Sequence, residues 1–491
     1  MARLRSKKRY AYPVILSRRL NLRLNPSRII ILAFLATVLF GAFLLTLPVS
    51  RSGASEDVVF QFFNNGLPSS ATPNHVHTFG PSFPGGAPLS VALLTAASAT
   101  SVTGLIVVDT ASYWSPFGQA VILTLIELGG IGTMTIVSLV ALNLRGASSE
   151  TRELASTSLG GAPVGSVKRT VRNIIWFSLA LQLVFALILS LHLGLSGITK
   201  NPREAIFHGL FLTGSAFNNA GFALNGDSLM SFRNDPIVLL SLALLIIVGG
   251  IGFPVWSVLA HRGPHWWKLN MNARIMLVGT LAAILAGWVL IAALEWDNPG
   301  TLGPENPGSK LLNAFFASVS PRTAGFNSMD IAAQSPETWL VTDILMLIGG
   351  GPAGTAGGLK ITTVTVVIAT LWGEVRGAEA INILGLRLAR SAQRQALAVF
   401  SLFAVLVGVA SFLLMLATPY TLNQSLYEVS SAIATVGLST GITPSLPVKI
   451  QFMLAVLMMV GRLGPLTLAT AIGTRRRKIG YELPKDRPLI G

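Results

Sequence analysis

The sequence predicts an all-α polytopic membrane protein, and three observations lead there. Only 11% of the 491 residues are charged while 51% are hydrophobic, against about 25% charge in soluble domains. The apolar runs Ile29–Ser50, Ile174–Thr199, Pro236–Ala260, Ile275–Leu294 and Ala396–Thr418 each approach or exceed the roughly 20 residues a helix needs to cross a bilayer. Between such runs, one short polar, Gly-punctuated segment returns four times.

The net charge of +16 gathers at the ends of apolar runs, so it reads as a topology signal and not as a nucleic-acid surface. The first 28 residues carry nine Lys or Arg and no acid, which predicts a cytoplasmic N-terminus. The tail "TRRRK" predicts the same for the C-terminus. No secretory cleavage site follows the first span, which reads as retained. The absence of cysteine excludes disulfides, thiol catalysis and Cys-metal sites.

The recurring segment reads "SATSVTGLIVVD", "SAFNNAGFALNGD", "SVSPRTAGFNSMD" and "SAIATVGLSTGI", with aligned glycines at Gly104, Gly221, Gly325 and Gly437. Ser98, Ser215 and Ser431 stand six residues before the Gly in three copies. Asp109, Asp227 and Asp330 follow it in three. A second Gly cluster comes 24 to 28 residues later: Gly129, Gly249, Gly349 and Gly461. Two linked features in four copies define four tandem repeats. Each reads as a long helix, a short helix, a polar turn and a second long helix. The boundaries are a basic arm 1–28, repeats 29–145, 170–262, 271–376 and 396–474, and a tail 475–491. The short helices span Pro88–Thr100, Pro202–Asn218, Ser309–Ser320 and Asn423–Thr435, with Asn201 and Asn423 as caps. They are too short to cross a bilayer. A short helix followed by polar backbone at membrane depth is tolerated where it lines a watery cavity or is buried in protein, as in a re-entrant pore loop.

Basic residues after each second helix and acids on the opposite side put all four turns outward, with eight spanning helices. Four such turns surround one pseudo-four-fold pore axis. A ring of backbone carbonyls replaces the water shell of a bare cation. Gly lets the backbone approach closely and take positive φ, and the short helices aim their negative ends at the axis. Asp109, Asp227 and Asp330 either concentrate cations at the mouth or are ordinary loop charges and caps.

"TSVTGLIVVDT", "FNNAGF", "SPRTAGF" and "ATVGLS" resemble the selectivity-filter segments of the Trk/Ktr/HKT superfamily of potassium transporters, most of all the membrane subunits of bacterial Ktr systems. "GGGPAGTAGGLKITT" and "GRLGPLT" agree, and the resemblance runs from the first span to Arg475. It implies four filter glycines, Gly104, Gly221, Gly325 and Gly437. It also implies filter carbonyls from Val102, Thr103, Asn219, Ala220, Thr323, Ala324, Thr435 and Val436. In HKT-like relatives Ser in place of the first filter Gly goes with sodium; Gly104 therefore implies K⁺, with Na⁺ as a candidate activator. The resemblance further implies a homodimer in the bacterial cell membrane, docked on a cytoplasmic ring of nucleotide-binding KtrA-type subunits.

The stretch 349–360 is Gly-rich and ends in Lys, but Leu359 separates Gly358 from Lys360, so it is no Walker phosphate loop. It interrupts an apolar stretch, Trp339–Trp372, too long for one simple crossing. The resemblance makes Gly349, Gly350, Gly351, Gly354, Thr355, Gly357, Gly358 and Lys360 an intramembrane gate; the alternative is a permanent kink. Arg462 aligns with Gly130, Gly250 and Gly350. An intramembrane charge faces a cavity or a partner, here a cationic pore barrier or a salt bridge with Glu127. The six His form no metal constellation, and no catalytic triad or other enzymatic site stands out. An alternating-access secondary transporter coupled to Na⁺ or H⁺ is the competing reading of the Gly-interrupted helices.

Overall fold

A computed structural model describes residues 26–53, 84–132, 167–352 and 354–464. The arm before Pro26, His75 and His77, the basic stretch holding Arg145 and Arg152, and the tail 475–491 lie outside these residues.

Four stretches share one plan. A first helix is followed by a short buried helix, a turn and a second helix. The first helices are α1 (Pro26–Thr46), α4 (Val167–Leu195), α8 (Met271–Glu295) and α12 (Arg390–Ala417). The short helices are α2 (Leu89–Ser101), α5 (Pro202–Phe217), α9 (Pro307–Val319) and α13 (Leu422–Ala434). The second helices are α3 (Pro116–Glu127), α6 (Pro236–Ile251) with its continuation α7 (Phe253–Arg262), α10 (Pro336–Leu347) with α11 (Ile361–Val375) after the Gly-rich loop, and α14 (Val448–Leu463).

In the first, second and fourth stretches the short helix packs between its first and second helices, and in the third α9 packs against α8. Each second helix also touches the short helix of the next stretch: α3 meets α5, α6 meets α9, α10 meets α13, and α14 returns to α2. The stretches therefore close into a ring. Its inside is lined by short helices whose last turns are buried, small and polar: Ser98, Thr100, Ser101, Ser215, Ser318, Ser430 and Ser431. Its outside is apolar, with Leu183, Leu187, Val289, Val405 and Phe412 exposed, the inversion expected where lipid is the solvent.

Among the described residues three helices are long and apolar enough to cross a bilayer: Arg172–Leu195, Met271–Glu295 and Arg390–Ala417. All are first helices. The second helices are where the structure departs from the expected second long helix. The predicted span Pro236–Ala260 bends by 87° between Ile251 and Phe253. Gly252 sits there at φ +92° and Pro254 follows, so neither the conformation nor the ring suits a continuous helix. α3 passes into a π-turn at Leu128–Gly132, and α10 stops at Leu347.

Three of the four second helices start by one rule, and α14, preceded by Pro447, has no side-chain cap. Ser115, Asp235 and Ser335 cap with their side chains, each followed by Pro at the first helical position, where a missing N–H costs nothing. The short helices differ from expectation in their caps. α9 starts at Pro307 because Asn306 accepts from Ser309 N at 2.9 Å. α13 is capped by Thr421 in a reciprocal box with Gln424, not by Asn423. Asn201 holds the cap position without a side-chain bond. Arg274, read from sequence only as a topology charge, is buried. It donates to Leu269 O at 3.1 Å and Leu384 O at 3.0 Å. It thereby ties α8 to a hairpin of β1 (Asn382–Ile383) and β2 (Leu386–Arg387).

Candidate ion pathway

The four aligned glycines lie against one another. A Cβ on Gly104 would stand 3.0 Å from Gly221 Cα, and one on Gly221 3.0 Å from Gly325 Cα. One on Gly325 would stand 3.2 Å from Gly437 Cα, and one on Gly437 3.0 Å from Gly104 Cα. The circuit closes. At each step the same Cβ would also press on the carbonyl oxygen just before the next glycine: Ala220, Ala324, Val436 and Thr103 in turn. All four glycines have positive φ, from +70° to +96°. Any larger residue therefore fails twice here, by backbone conformation and by collision with backbone that cannot swing away.

Two residues earlier, Val102, Asn219, Thr323 and Thr435 also lie in the left-handed region, at φ +57°, +59°, +70° and +53°. Three of these are β-branched, for which that conformation is strained. The strain is held by bonds from behind. Thr103, Ala220 and Val436 donate their N–H to Ser98 O, Ser215 O and Ser431 O at 2.8 Å. Gly104 N and Gly437 N donate to Ser98 Oγ and Ser431 Oγ at 3.0 Å. The recurring Ser six residues before the Gly is thus a brace for the turn. Ser215 occupies the same place, and among the described residues its hydroxyl has no partner. In the third stretch Ser320 Oγ braces the turn differently, donating to Phe326 O.

The second Gly cluster has its own reason. A Cβ on Gly129, Gly249 or Gly461 would strike Thr100 O, Phe217 O or Ile433 O, each four residues before the turn glycine. These three glycines let the second helices of the first, second and fourth stretches seat directly on the last turns of their short helices, whereas Gly349 abuts Gly357 O and Leu359 O of its own loop.

On one side of the ring opens a cavity of about 400 Å³ lined by Gly104, Gly221, Gly325 and Gly437 together with Asp109, Asp227 and Asp330. The three acids line this cavity and also make local bonds. Asp109 accepts from Ser112 N at 2.9 Å, Asp330 accepts from Ala332 N at 2.9 Å, and Asp227 accepts from Ser231 Oγ. The fourth stretch lacks such an acid. Its outer segment is held instead by the buried Glu428 carboxylate, which accepts from Thr440 N at 3.0 Å, Ser439 Oγ at 2.5 Å and Thr443 Oγ1 at 2.7 Å.

On the other side lies the loop 349–360. Its neck is zipped by Gly349 N to Leu359 O at 2.8 Å and Ile361 N to Gly350 O at 3.1 Å. Its tip reaches the turns: Thr355 Oγ1 donates to Phe217 O at 3.1 Å and to Asn219 Oδ1 at 3.0 Å. Gly357 abuts Thr435, and Gly358, at φ +65°, lies beside Ala434. Gly351 N and Thr355 N donate to Gly250 O at 2.8 Å and Gly249 O at 3.3 Å, and Gly354 packs on the same carbonyls. Lys360 Nζ turns back to Ala356 O at 2.6 Å.

Arg462 clasps this tip. Its guanidinium donates to Thr355 O, to Gly129 O at 2.5 Å and to Gly130 O at 3.4 Å. The expected salt bridge to Glu127 is absent: Glu127 accepts from Asn218 Nδ2 at 2.9 Å, and among the described residues no carboxylate pairs with Arg462. Backbone carbonyls of the Gly-rich loop and of the π-turn at Leu128–Gly132 satisfy the arginine instead. Asn219 has a second bond, from Nδ2 to Arg322 O at 3.2 Å, so one side chain joins two turns and the loop. Arg322 itself is buried beside the third turn and donates to Thr280 O at 3.0 Å. Sequence reasoning passed over it although it stands inside the quoted "SPRTAGF".

Comparison with known proteins decides the family. The family model described as "TrkH: Cation transport protein" matches residues 73–475. The chain belongs to this family. Ktr system potassium uptake protein B of Vibrio alginolyticus is 36% identical over 471 residues, covering 94% of each chain. Its namesake from Bacillus subtilis is 35% identical over 467 residues, covering 94% of this chain and 96% of the relative. Potassium/sodium uptake protein NtpJ of Enterococcus hirae is 31% identical over 487 residues, covering 97% of this chain and 100% of the relative. The crystal structure of the potassium transporter TrkH from Vibrio parahaemolyticus has the same fold, with TM-score 0.64 at 17% identity over 91% of this chain and 98% of that one. As a member of the TrkH family the chain is a multi-pass ion transporter and not an enzyme.

Proposed function

We propose that the protein passes K⁺ along the axis of the glycine ring. Val102, Thr103 and Gly104 with Asn219, Ala220 and Gly221, and Thr323, Ala324 and Gly325 with Thr435, Val436 and Gly437, serve as its selectivity filter. The observation that carries this is the closed circuit of four glycines, each against the carbonyl that precedes the next. Carbonyls brought that close by four chains of turn backbone replace the water of a bare cation. The buried helix ends behind them add negative potential, and the three aspartates of the cavity gather cations at its mouth. The names of the relatives, potassium uptake proteins, point to the same ion.

The loop 349–360 is proposed as the gate and Arg462 as both its clasp and a positive charge below the filter. Its bonds are mostly to backbone carbonyls, which a Gly-rich chain can exchange when it moves. We assign it to a bacterial cell membrane with both termini cytoplasmic, as a homodimer controlled by a KtrA-type nucleotide-binding ring. Na⁺ enters as an activator, a reading that the potassium/sodium relative supports. The test is ion uptake by the purified protein in liposomes, with and without a candidate ring subunit. Selective K⁺ flux that the ring and its nucleotide switch on is expected. Full nucleotide control without the ring would refute the partner assignment, and flux that saturates like a carrier would favour alternating access.

A further inference from the structure

Behind the third turn lies a small cavity that the ion path does not use. Its volume is about 20 Å³, and it is bounded by Ser320, Pro321 and Phe326 of the turn, Ser328 and Gln334 of the following segment, and Tyr427 of α13. Among the described residues, Ser328 Oγ, Gln334 Oε1 and Tyr427 OH are buried without a hydrogen-bond partner. Ser328 is 3% and Tyr427 0% exposed. Three unpaired polar atoms around one cavity are not a normal feature of a protein interior. A cavity needs about 10–15 Å³ on this measure, and two to four polar partners, to hold one water. This one has room for a single water and three partners. No residue lining it is acidic.

We propose that a buried water here, bonded to Tyr427, Ser328 and Gln334, joins the segment directly after the third turn to the short helix of the fourth stretch. Tyr427 is then a positioning residue: it touches no ion, but through the water it fixes the segment from Ser328 to Gln334 that carries the third turn on its near side. That turn lacks the Ser brace of the first and fourth turns, since Val319 stands in its place, and so depends more on support from behind. The consequence for selectivity rests on the filter reading above; the water itself does not.

The test pairs a structure resolved well enough to show ordered water with K⁺ and Na⁺ uptake in liposomes for Tyr427→Phe, Ser328→Ala and Gly325→Ser. A single peak at hydrogen-bond distance from all three atoms is expected in the unmodified protein. A severalfold fall in K⁺-over-Na⁺ preference is expected in Tyr427→Phe and Ser328→Ala. Ser328→Ala, outside the helices, carries the test if Tyr427→Phe does not fold. A dry cavity, or a peak with cation coordination, overturns the proposal. Unchanged preference in both variants, with a loss in Gly325→Ser, overturns the positioning role and leaves the filter standing. Unchanged preference in Gly325→Ser as well removes the filter reading and, with it, the consequence for selectivity, while the water peak alone still decides the site.

Discussion

At the scale of single residues the turns are built from backbone, and their side chains act as braces. Gly437→Ala would place a methyl against Thr103 O at φ +96°, so we expect K⁺-over-Na⁺ preference to collapse while the protein still reaches the membrane. Competition of Na⁺ against Rb⁺ uptake measures it. Ser431→Ala removes the acceptor of Gly437 N and should cost about 1 kcal/mol, seen as a lower thermal midpoint in detergent. Ser215→Ala is the control. Its hydroxyl has no partner among the described residues, so the change should be neutral or slightly stabilising. The glycines were legible because φ and close approach both demand Gly. The left-handed residues two places earlier were not, because Val, Asn and Thr carry no local mark of that conformation. It is imposed by bonds from the preceding helix.

At the scale of elements, the loop 349–360 and the buried acids decide what moves and what does not. The loop is tied at its neck by its own backbone and at its tip by Arg462, Asn219 and the Gly249–Gly250 carbonyls. Deleting Gly351 to Gly357 should raise flux, and Arg462→Gln should raise it less, because the clasp is lost while the loop remains; isotope efflux from liposomes separates them. Flux that stays low after the deletion contradicts the gate assignment. Glu295 works in the opposite sense. It accepts from Asn298 Nδ2 and Thr301 Oγ1 at 2.6 Å, Ser335 N and Oγ at 2.9 Å, and Thr338 Oγ1 at 2.5 Å. Glu295→Gln turns an acceptor-only group toward donors with one donor of its own and should cost about 1–3 kcal/mol, read as faster hydrogen exchange at the start of α10. The short helices were legible from their length and the polar turn after them, not from their caps, and the break of Trp339–Trp372 from its glycines. The bend at Gly252 was missed because its apolar pattern runs on unbroken. The α9 start was missed although Asn306–Pro307 repeats the Asn201–Pro202 signal.

At the scale of the molecule, each stretch leans on the next through its second helix and closes on the first, so the glycine ring is held by the whole chain. The spacing of four Gly turns was enough to foresee that they would meet. What the spacing did not contain was the handover of Arg462 from Glu127 to loop carbonyls, which depends on contacts between residues more than 100 positions apart. Because every turn contributes to one axis, the account's central claim is that all four glycines act on the same ion. The most direct measurement is liposome uptake of K⁺, Rb⁺, Na⁺ and Li⁺ by the unmodified protein and by Gly104→Ser, Gly221→Ser, Gly325→Ser and Gly437→Ser. The account predicts K⁺ and Rb⁺ well ahead of Na⁺ and Li⁺ in the first, and loss of that order in each variant. The same order retained in all four variants would contradict it.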